Sequence, residues 1–353
     1  MAKLTSTDEK PFTLEKGSTA PADHASRLVE HLPVVSVKSV LAGANRKGKF
    51  KGASDFWDGT PPARTEWFTF DADDTADPLW QPQGLTCGSD GGGDAPDAFL
   101  VSWYKKTSKT DDAAQAVRLS FFDPDRTSPR YRHVLLVVPT AGGDYDPLRI
   151  HAGGIAWYGN LLYVADTMRG FRIFDMSRIL DVPNIAGDTL VGRSGNGFHA
   201  LGYSHVMPQV GSWRLTTKNA ARFSFVSIDR SHAPDLLVSG EYSKDGFGRV
   251  ARWALRPDGS LVTDEAGKAV PVDSFKVPVH RVQGAVTFDG RWYLSQSRGT
   301  SANATLLTGK PEALTGRAFP VGPEDLTVWR ERKMLWSVTE FDRRRRAVFG
   351  VPL

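Results

Sequence analysis

Ten side chains in this 353-residue sequence are of types that do acid–base or recognition chemistry. His151, Glu241 and Glu324 are the candidates for catalysis. Gln83, Tyr104, Asp166, Arg222, Gln283, Arg298 and Glu340 are the candidates for holding a ligand. His151 stands just before Gly153-Gly154, which leaves its surroundings uncluttered. Imidazole titrates near neutrality and can act as a general base, and Glu324 or Glu241 would be its acid or electrostatic partner. This set predicts a small organic molecule as ligand, with hydrolase, lyase or cyclase chemistry that needs no redox cofactor. A divalent cation, calcium or magnesium, is the one cofactor the carboxylates could take, through oxygen ligands. The alternative is a non-catalytic scaffold that holds a protein or a glycan. Each residue also has a plainer reading. Asp166 precedes Thr-Met-Arg-Gly and can anchor a turn, the Glu324-Asp325 pair can meet a nearby arginine, and Gln83 and Gln283 can bond across repeats and close a channel.

Other chemistries lack their residues. There is no P-loop, no dinucleotide fingerprint between a strand and a helix, and no Gly-x-Ser-x-Gly elbow. Gly91-Gly92-Gly93 reads as a loop, since no helix is predicted to follow it. Cys87 is the only cysteine, which rules out an intramolecular disulfide and a CxxC zinc site. His199 and His205 are too far apart for a helical zinc pair and lack its glutamate. His24, His31, His133 and His232 are expected on the surface or at strand edges. Net charge is +4 with much of the excess in Arg343–Arg346, a run expected at a solvated hairpin tip, so neither nucleic acid nor a membrane is expected as a partner. No stretch approaches the roughly 18 to 20 apolar residues of a membrane span. The N-terminus lacks the apolar core of a signal peptide, which predicts a cytoplasmic protein as written, or an exported one in mature form. A monomer is expected.

The elements that must position these groups are strands. With 40% hydrophobic residues, 34 Gly and 22 Pro, the chain is globular and rich in turns. Residues 1–30 read as a flexible polar tail with a short helix over 23–31 capped by Asp23; deleting the first 25 residues is expected to leave a folded protein. Residues 31–353 read as one domain of short Val-, Phe-, Trp- and Tyr-rich runs bounded by Gly, Asp, Asn or Pro, with 177–182 the best candidate for a further helical turn. A two-strand pattern recurs. Its clearest copy is His151-Ala-Gly-Gly-Ile-Ala-Trp, a turn, then Leu161-Leu-Tyr-Val-Ala-Asp166. Others begin at Gln83, Arg222, Gln283 and Pro323, and a third strand follows most of them. Small residues open the first strand because inner strands converging on an axis leave no room for bulk. The second strand is a continuous apolar run, as expected when both faces are covered. Radial repetition of this kind is the β-propeller. The copies predict five blades, closed by an outer strand from 34–40 or 66–72, with a degenerate sixth blade as the alternative. In such a ring the loops entering each first strand and leaving each second strand open on one face, which gathers the ten candidates there.

The Gln83-Gly-Leu and His151-Ala-Gly-Gly-Ile-Ala openings, each followed by a Leu-Tyr-Val-Ala-Asp-like strand, resemble blades of the SMP-30/NHL/strictosidine-synthase-like propellers. The resemblance covers about residues 80–353, and the whole chain is similar to uncharacterised actinobacterial propeller proteins. It implies the fold and a broad range of activities, including lactonases with a central divalent metal, lyases, cyclising enzymes and binding modules. The glutamate, asparagine and aspartate ligands of the lactonases have no counterparts here at three matching positions.

Overall fold

The computed structural model describes residues 2–106, 115–195, 197–341 and 345–353. The chain is an all-β propeller. Among the described residues the main strands form five antiparallel four-stranded units, here called blades I to V. Blade I is Trp80–Cys87, Phe99–Lys105, Val117–Asp123 and Arg130–Thr140; blade II is Ile155–Tyr158, Leu161–Asp166, Gly170–Asp175 and His205–Leu215. Blade III is Phe223–Asp229, Leu236–Glu241, Arg249–Ala254 and Asp273–Lys276; blade IV is Val282–Phe288, Arg291–Gln296, Ala304–Lys310 and Ala313–Phe319. Blade V has only three strands from the C-terminal end, Pro323–Trp329, Met334–Thr339 and Ala347–Pro352. Its fourth is Glu66–Thr69, paired antiparallel with Ala347–Gly350. The N-terminal strand thus closes the ring, and the first strands touch in cyclic order from I through V and back to I.

Small residues sit where the blades converge. A Cβ on Gly154 would come within 2.4 Å of the Phe225 and Val226 backbone of blade III, and one on Gly284 within 2.7 Å of the Glu324 carbonyl of blade V. Aromatic rings fill the wider spaces between blades. Phe99 of blade I packs at a tilt against Trp336 of blade V with ring centroids 4.6 Å apart, and Phe171 of blade II stacks against Phe223 of blade III at 4.6 Å.

The N-terminal segment differs from the expected tail. Thr5–Ser6 pairs with the outer strand of blade III, and Leu14–Lys16 pairs with that of blade II. Phe12, Leu14, Ala25 and Leu28 are fully buried. The helix runs over Ala20–Val29 with no side-chain cap at Thr19, and Asp23 lies in its first turn. The polar sequence hides this because only a few residues per turn face the propeller. Val34–Val35 pairs with Ile179–Asp181, while the rest of that run is a helix, Val37–Ala42, whose N-cap Ser36 accepts the Ser39 N–H. Residues 179–181, expected as a helical turn, are this strand partner instead. No helix among the described residues is long and apolar enough to cross a membrane.

Candidate functional site

Strand direction places the ends of the second strands and the entries to the first strands on one face. His151 sits in the approach to blade II, where Ala152 is held at φ 53°, a left-handed conformation that a non-glycine residue adopts at a cost. The Ala152 carbonyl accepts Ser102 Oγ at 2.9 Å, which ties this kink to blade I. The His151 ring lies 4.3 Å, centroid to centroid, from that of Tyr104, at the end of blade I's second strand. His151 keeps open surface, yet the protein crowded around it lowers its pKa, because the charged form loses hydration.

Beside this pair lie two glutamates from blade V, each held by a glutamine of an adjacent blade. Gln283 Nε2 donates to Glu324 Oε1 at 2.8 Å, and Gln83 Nε2 donates to Glu340 Oε2 at 2.7 Å. Glu324 is 3% exposed. Burial, aided by the like charges of Glu340 and Asp325, pushes its carboxyl well above the ordinary value against the opposing Gln283 bond. Glu340 is also raised by burial, with Gln83, Arg346 and Lys106 opposing. The Tyr104 phenol is pushed up to about 12 by burial and by Glu340 and Glu324, and so stays a neutral donor. Tyr242, which the sequence reading passed over, is raised by burial and by the same two glutamates, with Arg281 opposing.

Asp325 has a different task. Fully buried on the axis, its Oδ2 accepts the Leu85 N–H of blade I at 3.3 Å and the Ile155 N–H of blade II at 3.0 Å. One carboxylate therefore joins first strands of three blades, rather than meeting an arginine as the sequence suggested.

The other candidates separate. Asp166 Oδ2 accepts Arg172 Nε at 2.8 Å and Oδ1 the Met168 N–H at 3.3 Å, which is the turn-anchoring role. Glu241 does not serve His151. Its Oε1 accepts Arg249 Nη2 and the Arg222 N–H, and its Oε2 accepts Arg249 Nε and N–H, which uses both oxygens twice. The Arg222 and Arg298 side chains are exposed on the same rim.

Sequence reasoning missed a second polar cluster. His133, expected at the surface, is 3% exposed. Its Nε2 is 3.0 Å from Asp74 Oδ2 and its Nδ1 3.0 Å from Ser120 Oγ. That is a Ser–His–Asp order, but Ser120 is wholly buried and its oxygen takes the Trp103 Nε1–H at 2.9 Å, so no substrate can reach it. Asp74 also accepts Arg118 Nη2 at 2.7 Å and the Tyr131 hydroxyl at 2.6 Å. Burial alone would raise the Asp74 carboxyl; His133, Arg118 and Arg46 outweigh it and hold it well below the usual range. The basic run is likewise not all at a solvated tip. Arg343 and Arg344 lie outside the described residues, while Arg346 is fully buried and donates to the Glu340 and Asp74 carbonyls. Single residues gave no signal for these contacts, of which His133–Asp74 joins positions 59 apart in sequence and Arg346–Asp74 positions 272 apart.

Two cavities bear on function. One, of about 620 Å³, adjoins His151 and is lined by Arg149, Arg169, Arg172, Ile150 and Met168 among others. The larger, about 820 Å³, is mainly apolar and lies at the opposite ends of the strands, against Val34, Ala95, Trp157, Tyr158 and Met176. Of the candidate residues, His151 and Asp166 line the smaller one, while Tyr104, Glu324 and Glu340 stand outside its lining. No three His, Cys, Asp or Glu among the described residues gather so as to hold a metal ion. Glu324 and Glu340 each face a glutamine N–H donor, and burial favours their protonated forms. This donor set does not fit calcium or magnesium, which take several ionised or carbonyl oxygens.

No family model matches the chain, and no curated protein does. Among solved structures the chain is similar to a gluconolactonase of Xanthomonas campestris, at 13% identity over 88% of each chain with a TM-score of 0.35. It is similar to a GH43_1 enzyme of Xanthomonas citri complexed with xylotriose, at 11% identity, over 94% of this chain and 93% of that one, TM-score 0.37. The Cps50 β-propeller domain of Myceliophteria thermophila matches at 10% identity over 76% of this chain and 96% of that one, TM-score 0.37. Likenesses this distant say nothing of what this chain binds; the propeller itself rests on its own strand pairing.

Proposed function

We propose that the face carrying His151, Tyr104, Glu324 and Glu340 binds a small organic molecule and hydrolyses it by acid–base chemistry. One observation carries this reading. A histidine whose pKa the surrounding protein lowers lies 4.3 Å, ring to ring, from a tyrosine that is also in the field of a carboxyl whose pKa burial raises well above its ordinary value. Two titratable groups whose surroundings push them in opposite directions are the usual mark of an acid and a base. In the proposed step His151 takes a proton from water as the water oxygen bonds the substrate's electrophilic carbon. The bond to the leaving group breaks, and that group takes the Glu324 proton. Transfer from His151 back to Glu324 through water restores both. Glu241, with its oxygens engaged, has no part in this step.

The rival reading is a scaffold that holds a protein or glycan without turnover. The 820 Å³ apolar cavity at the opposite ends of the strands favours it. We also place the chain with the SMP-30/NHL/strictosidine-synthase-like propellers, and propose a monomer without nucleic-acid or membrane partners. Burial of Arg346 supports setting the basic run aside as a nucleic-acid surface. The test is hydrolysis of a panel of chromogenic esters, lactones and aryl glycosides between about pH 5 and 9. Turnover abolished by His151→Ala and by Glu324→Gln supports the enzyme. Activity on none of the panel, or activity indifferent to both substitutions, overturns it.

A further inference from the structure

We infer that the 620 Å³ cavity beside His151 selects a small organic anion, an apolar body ending in a carboxylate or phosphate; this names the substrate class of the site proposed above and rests on that reading. The cavity lies within the size range of small-molecule sites. Its cations differ in how they are used. Arg172 is engaged, with Nε on Asp166 at 2.8 Å and Nη1 on Gln209 at 3.3 Å. Arg149 and Arg169 are exposed, and neither guanidinium meets a carboxylate at ion-pair distance among the described residues. Asp146 is the one lining carboxylate besides the paired Asp166, so the lining carries net positive charge with two guanidinium forks open to an anion.

Three further features narrow the ligand. Val138, Pro147, Leu148, Ile150 and Met168 give the wall an apolar part, beside the polar Gln115 and Thr167, and Met168 is 67% exposed. Bare inorganic phosphate would leave that wall unused, whereas an organic anion would cover it. His151 lines the same cavity and is held neutral, so it neither competes with the arginines for the anion nor repels them. Arg149 precedes His151 by two residues in the approach to blade II, while Arg169 lies in the turn after Asp166. The anion would therefore be gripped from two sides of the cavity, with the rest of the molecule extending along the apolar wall toward the imidazole.

Calorimetric titration of the full chain with 4-phenylbutyrate, phenyl phosphate, neutral 4-phenylbutanamide and inorganic phosphate tests this. Expected is binding of one or both organic anions, at least about tenfold weaker in the Arg149→Gln/Arg169→Gln double variant and weakened by added salt, as screened charge requires. The amide binding as well as the acid, inorganic phosphate binding as well as phenyl phosphate, or the double variant binding as wild type would each overturn the inference. Anion binding that survives while His151→Ala leaves hydrolysis intact would instead sink only the acid–base reading.

Discussion

Gln283 of blade IV donates its amide to Glu324 of blade V at 2.8 Å, and this bond matches the one from Gln83 of blade I to Glu340 at 2.7 Å. Blade V is thus flanked by two glutamines that each grip one of its glutamates. The bonds cross between blades; Glu340 also feels Arg346 and Lys106, whereas the rise of Glu324 is opposed by its glutamine, and an amide stabilises a carboxylate less than a guanidinium does. The Gln283 bond opposes protonation of Glu324, and burial together with the like charges of Glu340 and Asp325 outweighs it.

Turnover should show a plateau bounded by the two shifted groups. His151, lowered below its ordinary 6.5, stays neutral at pH values where a free histidine is protonated. Glu324, raised well above its ordinary 4.5, stays protonated where a free glutamate has ionised. With unshifted values the right pair of forms would coexist only as a minor species. His151→Ala and Glu324→Gln should each lower turnover by about a hundredfold or more with little change in melting temperature, because His151 is exposed and a glutamine amide can still accept the Gln283 bond. A clear loss of stability in either variant, measured by thermal melting, would mark the residue as structural.

Gly154→Ala should destabilise the protein by about 3 kcal/mol or more, read from the urea midpoint. The added Cβ would lie 2.4 Å from blade III backbone, which cannot rotate away as a side chain can. Gly159→Ala is the control, since nothing lies within 4 Å of its added Cβ, and there only the cost of a φ of 57° should appear.

Acid should weaken the fold through His133 before Asp74 is reached. Burial, with Arg118 adding, lowers His133 to about 4 from 6.5, so between those values the unfolded chain takes up a proton that the folded protein refuses. Stability gained from this group is complete above pH 6.5 and falls by about 3 kcal/mol as pH drops to 4. Asp74, held low, adds its loss below 3.8. Urea midpoints for His133→Gln should lack the first slope. Asp74→Asn should cost about 3 to 5 kcal/mol at neutral pH by leaving Arg118 buried without its charge partner.

Removing residues 1–25 should lower stability clearly, because it strips away Phe12 and Leu14, both fully buried, the former 6.1 Å from Trp253. Phe12→Ala alone should cost about 3 to 5 kcal/mol. Removal through Phe70 deletes the fourth strand of blade V and should abolish cooperative melting; a cooperative transition in that truncation would show that blade V closes without it.

The sequence by itself determined the class of fold, the repeat and the face on which His151, Tyr104 and Glu324 gather. Each of these follows from local pattern: apolar runs of strand length, Gly or Ala where inner strands converge, and a fixed offset from strand ends that puts His151, Tyr104 and Glu324 together. It also named the strand 66–69 as one of two that could close the ring. Only the tertiary structure decided what each polar group does. Glu241 and Glu340 occupy comparable places at the ends of their blades' second strands, yet one meets Arg249 and the other a glutamine, and that choice of neighbour separates an engaged carboxylate from one whose pKa burial raises. His133 and Arg346 read as surface residues because strand pattern says which face a side chain takes, but not what will cover it. The cover came from Asp74, on the segment before blade I, which meets both His133 and Arg346. Burial and charge pairing are sums over all neighbours in space, and a linear pattern contains only those along the chain.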